Sequence, residues 1–110
     1  MITSEILLED PELIDLIDKF MTRLPAMRDS INLANVEKND EEFSNLIHQL
    51  KGVGGGYGYP MLTELCANIE VQMKDNNEDK LASLMKEFNQ MAEDILAGSD
   101  DNHKIAEANK

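Results

Sequence analysis

Four stretches of this chain repeat apolar residues at helical spacing, and no stretch alternates apolar and polar residues as a half-buried strand would. The first opens on "DPEL", with Asp10 as N-cap and Pro11 in the first helical position, and carries Leu13, Ile14, Ile17, Met21 and Leu24 along one face. Pro25 predicts a kink or interruption before the helix continues towards Val36. The second begins at Asp40, Glu41 and Glu42, where negative charge suits a helix N-terminus, and its stripe is Phe43, Leu46, Ile47 and Leu50. After Tyr59 and Pro60, the residues Leu62, Leu65, Cys66, Ile69 and Met73 mark a third helix that ends near "KDNNED". Leu81, Leu84, Met85, Phe88, Met91, Ala92 and Ile95 mark a fourth. Such helices, joined by short polar turns, bury their stripes most simply as an all-α, antiparallel up-down-up-down four-helix bundle. A short leading helix over Ser4 to Leu8 is expected to cap one end. Residues 1–98 are expected to form the domain, and the polar tail 99–110, which follows a glycine and shows no usable period, to be frayed or disordered.

A chain of 110 residues has room for one core and for no separate nucleotide-binding domain. With 22 acidic against 10 basic side chains, the net charge of -12 repels phosphate backbones and anionic lipid surfaces, so proteins are the expected partners rather than nucleic acid or membrane. No run of apolar residues approaches the length of a membrane span, and "MITSEILLED" has no basic leader, so a cytoplasmic protein is expected. The single cysteine, Cys66, lies on an apolar stripe and reads as a small core residue in a reducing compartment. One Cys and two distant His make no metal-ligand spacing, so no metal site is expected.

One segment does not fit a plain bundle. "HQLKGVGGGYGYP", His48 to Pro60, spends five of the seven positions after Lys51 on glycine, although each Gly in a helix interior costs about 0.5 to 1 kcal/mol against Ala. With Phe43 at zero on a helical wheel, Leu46, Ile47, Leu50 and Gly54 fall within about 60° of it and face the core. His48 falls near ~140°, Gly52 near ~180° and Gly55 near ~120°, on the polar side, while Lys51 lies at about 80°, one turn on. The imidazole is therefore expected to be exposed, with a cation within reach and bare backbone around it. Gly54, on the inner arc, reads instead as a place where a neighbouring helix packs closely.

Residue type suggests the chemistry. Near neutral pH a histidine of ordinary pKa, about 6.5, is mostly free-base imidazole, which can attack an aspartyl phosphate and hold the phosphoryl group as a labile phosphoramidate. A lysine beside it screens the phosphoryl oxygens, and Gly52 and Gly55 keep side chains out of the path of a docking protein. His103, in the polar tail, is given no role.

The stretch "HQLKGVGGGYGYPMLTELCANIE" resembles the histidine phosphotransfer (HPt) domains of multistep two-component signalling: His, Lys three later, Gly four, seven and ten later, then a Leu/Cys/Ile helix. The helix order and the "DPEL" start are similar to that family as well. The resemblance implies a four-helix bundle whose His48 accepts a phosphoryl group from a receiver-domain aspartate and passes it to another receiver's aspartate. It implies Lys51 as the electrostatic partner, response-regulator receivers and a hybrid sensor histidine kinase as partners, and Mg²⁺ supplied by the receiver rather than held by this chain. Glu70 is similar in spacing to an acid of chemotaxis-kinase phosphotransfer domains that accepts a bond from the unphosphorylated imidazole nitrogen. Such a module has no kinase activity of its own and is expected to be a monomer.

Other readings fit these residues less well. A phosphate-binding loop is unsupported, since no strand precedes the glycines and no Lys-Ser/Thr follows them. A histidine autokinase would need an acid after His48, a later Pro and an ATP-binding domain. The alternative that stays open is a non-catalytic helical adaptor that binds receiver or kinase domains through the same glycine-lined face.

Overall fold

The computed structural model describes all residues from Met1 to Lys110. Five α-helices follow one another: α1 over Ile14–Val36, α2 over Asp40–Gly56, α3 over Pro60–Lys74, α4 over Glu78–Ala97 and α5 over Ser99–Ala108. They are preceded by two 3-10 turns, Glu5–Leu8 and Pro11–Leu13. The first four form the expected up-down-up-down bundle, α1 packing on α2, α2 on α3, α3 on α4 and α4 back on α1. The result is a rod of 46 × 20 × 20 Å. Its core is aliphatic, with Phe20, Phe43, Phe88 and Tyr59 as the buried rings among Ile17, Leu24, Ile31, Ile47, Leu50, Leu62, Ile69 and Ile95. Asn32 of α1 and Asn89 of α4 exchange side-chain amide hydrogen bonds of 2.8 and 3.1 Å, a directional contact that fixes the register of those two helices.

The bundle closes through three very short reversals built alike. In each, the residue after the C-cap takes positive φ, at Lys38 (56°), Gly58 (88°) and Asn76 (51°). Its amide and the next one return to the last turn, as in Lys38 N to the Asn35 carbonyl (3.2 Å) and Asn39 N to the Ala34 carbonyl (2.9 Å). This is the Schellman arrangement, which satisfies carbonyls that the helix leaves free. Asn39 and Asn77 then cap the following helices by accepting from the amides of Glu42 and Lys80.

Pro25 does not interrupt α1. It removes one N–H from the ladder, yet the helix runs unbroken from Ile14 to Val36 because Leu24 and Ile31 anchor the turns on both sides of it in the core. The start of α1 is also modified, since Pro11–Leu13 forms a 3-10 turn and the Asp10 side chain makes no capping bond.

The tail corrects a second expectation. Residues 99–108, expected to be disordered, form α5, which packs against α1 and the N-terminal turns. Its inward face carries Asn102 and Ala106, and Asn102 is buried because it has partners: its Oδ1 accepts from the Ser4 amide at 2.8 Å and its Nδ2 donates to the Tyr59 hydroxyl at 3.0 Å. A search for apolar periodicity passes over a helix whose key inward residue is polar. His103 lies outside, with its Nε2 2.9 Å from Asp18 of α1. The N-terminal segment completes this end, Ile2 donating to the Asp94 carbonyl at 2.9 Å and Glu5 to the Gly58 carbonyl at 2.9 Å.

Two measurements check this account. A Cβ at Gly58 would collide with Ser4 Oγ and stand 2.8 Å from the Ile6 amide, in a backbone conformation already hostile to side chains. Gly58→Ala is therefore expected to destabilise the fold by more than about 1 kcal/mol, whereas Lys38→Gly, which relieves positive φ at an exposed site, should stabilise it by about 1 kcal/mol in denaturant unfolding. The second concerns alkali. Burial pushes the Tyr59 phenol from 10.0 up to about 12, the Asn102 hydrogen bond opposing it, and burial pushes the Cys66 thiol from 9.0 up to about 12, the Glu70 carboxylate adding and Lys51 opposing. Both groups ionise first in the unfolded chain, so the stability they contribute is full below pH 9 and falls as pH rises from there towards about 12. Denaturation midpoints should decline over that window, and Tyr59→Phe should flatten its upper part.

Candidate functional site

α2 presents two faces of different character. Phe43, Ile47, Leu50 and Gly54 are buried, while His48, Gly52, Gly55 and Gly56 lie on the outside. This is the division that the helical wheel predicts. The His48 side chain is 71% exposed, and a Cβ placed at Gly52 or Gly56 would meet nothing within 4 Å. Beyond the imidazole, then, the helix offers bare backbone for about two turns.

Gly54 serves packing. A Cβ there would stand 2.9 Å from Thr63 Oγ1 and 3.3 Å from the Thr63 amide, so α3 crosses α2 at a distance that only glycine allows. In that crossing Thr63 Oγ1 donates a 2.8 Å hydrogen bond to the backbone carbonyl of Lys51. Gly55, one residue on, would bring a Cβ into ordinary contact with the same hydroxyl at 3.4 Å.

The antiparallel run of α3 brings Glu70 level with the first turns of this surface. Its Oε1 is 2.8 Å from Lys51 Nζ, and its Oε2 is 3.8 Å from His48 Nδ1. The carboxylate is largely covered, at 22% exposure, and the ammonium is half-buried at 31%. Oε1 has no aligned hydrogen-bond donor despite the short distance. The contact is thus an ion pair, in which the ammonium supplies the charge that a buried carboxylate oxygen needs. Lys51 leans towards Glu70 rather than standing free beside the ring. The 3.8 Å approach to Nδ1 exceeds hydrogen-bond length, and Nδ1 is the ring nitrogen on the side of the acid.

All the sequence-predicted site residues, His48, Lys51, Glu70, Gly52 and Gly55, are therefore gathered on the outer side of the α2–α3 pair. Sequence reasoning did not identify Thr63. Its only sequence signal is a polar residue interrupting the first turn of an otherwise apolar helix start. Cys66 lies buried one turn before Glu70, and its raised pKa leaves almost no thiolate near neutrality. No three His, Cys, Asp or Glu side chains converge as metal ligands would. No helix is long and apolar enough to cross a membrane.

Comparison with known proteins follows the same lines. The chain is 30% identical over 83 residues to the signal transduction histidine-protein kinase BarA of Escherichia coli strain K12, an alignment that takes in 71% of this chain and 9% of that kinase. The same figures hold for BarA of Escherichia coli O157:H7. The chain thus spans only a small part of the length of these relatives. No solved structure matches significantly. The family model for the Hpt domain matches residues 15–98, from the start of α1 through the end of α4. Since that match takes in the histidine-bearing helix and the three helices that build the bundle with it, the chain belongs to the Hpt domain family.

Proposed function

We propose that this protein is a phosphorelay intermediate in which His48 accepts a phosphoryl group from the aspartyl phosphate of one response-regulator receiver domain and passes it to the aspartate of another. The observation that carries the reading is the His48–Glu70–Lys51 arrangement: an exposed imidazole with one nitrogen facing a covered carboxylate, and a lysine on the same carboxylate. Family membership supports the same reading. An adaptor that only bound its partners would need none of these three side chains.

A proton on Nδ1, on the Glu70 side, leaves the lone pair on Nε2, which attacks phosphorus in line. The bond from phosphorus to the receiver's carboxylate oxygen breaks, and its electron pair returns to that carboxylate. The imidazole then carries the phosphoryl group on Nε2 and positive charge on the ring, which the Glu70 carboxylate offsets. Lys51, one helical turn from His48 and paired with the same carboxylate, shares its ammonium between Glu70 and the incoming phosphoryl oxygens in this reading. The reverse attack, by a second receiver's carboxylate on the phosphohistidine, restores the ring. Mg²⁺ is brought by the receiver, and a sensor histidine kinase acts upstream as the source of phosphoryl groups. The module works as a cytoplasmic monomer, without kinase activity of its own.

His48→Gln is expected to abolish acceptance of label from a receiver charged with acetyl phosphate and to leave the melting temperature within a few degrees of wild type, because so exposed a side chain contributes little to the core. In the wild type the label should be lost in acid and kept in base, as a phosphoramidate is. Label that persists in His48→Gln would place the acceptor elsewhere.

The glycines separate function from stability. At Gly52 a side chain meets open space, so Gly52→Gln should hold or raise stability, by up to about 1 kcal/mol, through better helix propensity. If the bare strip exists for docking, the same change slows transfer by raising the receiver concentration needed for half-maximal rate. Normal transfer by Gly52→Gln would remove the strip from the docking surface.

A further inference from the structure

Lys51 is held by α3 at two points. Its backbone carbonyl accepts the Thr63 hydroxyl at 2.8 Å, and its ammonium meets Glu70 at 2.8 Å. The two contacts leave the residue in opposite directions, as helix geometry requires: carbonyls point towards the C-terminal end of a helix and side chains lean towards the N-terminal end. Because α3 runs antiparallel to α2, Thr63 near its start meets the carbonyl and Glu70, two turns on, meets the side chain.

The hydroxyl has an alternative that it does not take. A helical threonine commonly bonds the carbonyl three or four residues back in its own helix. Thr63 instead reaches across to α2, through the space that the missing side chain of Gly54 leaves. The Lys51 carbonyl belongs to a helical ladder that already occupies it, so the cross-helix bond adds alignment more than satisfaction. It ties the turn that carries His48 and Lys51 to the helix that carries Glu70.

We propose that Thr63 is a positioning residue for phosphoryl transfer, fixing the α2–α3 register that sets Lys51 between Glu70 and the His48 phosphoryl group; the proposal rests on the reading of His48 as acceptor. Thr63 makes its bond behind the exposed face, so its effect falls on the chemical step rather than on receiver docking. It acts through Lys51, so its effect vanishes when Lys51 is removed.

The test uses the full chain and a receiver domain charged with acetyl phosphate, with transfer followed over a range of receiver concentrations for wild type, Thr63→Val, Thr63→Ser, Lys51→Ala and the Thr63→Val/Lys51→Ala double variant. Thr63→Val should lower the saturating rate about three- to ten-fold, the range that loss of one hydrogen bond supports. The half-saturating concentration should not move, melting should change by a few degrees at most, and Thr63→Ser should restore the rate. In the Lys51→Ala background, Thr63→Val should add no further loss. A Thr63→Val rate equal to wild type would overturn the proposal, as would a loss that multiplies with that of Lys51→Ala. If wild type itself takes no label on His48 from any receiver, the acceptor reading falls and this proposal with it, an outcome distinct from either of those.

Discussion

The closeness of α2 and α3 at Gly54 is the constraint on which the site depends. With a methyl group at that position, Thr63 could not stand where it does, since the added carbon would press on both its hydroxyl and its amide. The two helices would have to give by a few tenths of an ångström, and the shift would bear on the short, half-covered Lys51–Glu70 pair that the same crossing holds. Packing this tight narrows the registers open to the pair, because the helices mesh only where the gap in one surface meets the threonine of the other. The electrostatics around His48 are thus a consequence of van der Waals contact two turns away.

The glycines of one short segment therefore answer to different physical demands. Gly54 lets another helix in, and Gly58 provides positive φ beneath the N-terminal segment. Gly52 and Gly56 border open space, and neither backbone strain nor close packing accounts for them. Those two lower helix propensity without any return in stability, which is the pattern expected where a surface is shaped for something outside the molecule. The flanking rings steady the segment, Tyr57 stacking on Phe20 with centroids 5.0 Å apart and Tyr59 buried beside them.

How much could be read in advance varied with the range of the interaction. The bundle and the exposure of His48 follow from the period of a single helix, and the strict stripe of Phe43, Ile47 and Leu50 left no doubt about which way α2 faces. The inward role of Gly54 came from the same wheel. What crosses between helices was not legible in that way. Glu70 is reached only through family resemblance, and the lean of Lys51 towards it depends on a register that no single helix encodes. Thr63 and Asn102 leave no such signal for a related reason, since each is a polar residue whose partner is distant in sequence. In α5 the inward Asn102 removes the apolar signal that would have announced a helix, and the Asp18–His103 contact joins residues 85 apart.

The three reversals have a consequence for recognition. Each passes from C-cap through one positive-φ residue to the next helix's N-cap, with no slack chain between α1 and α2, α2 and α3, or α3 and α4. A partner that meets α2 therefore meets a backbone with little left to order: the main-chain entropy of that face is lost at folding, not at encounter. Binding of this kind is expected to gain speed from pre-organisation while leaving little scope for one surface to remould itself around dissimilar partners. Discrimination between them then falls to the shape and charge that each partner itself brings to a fixed template.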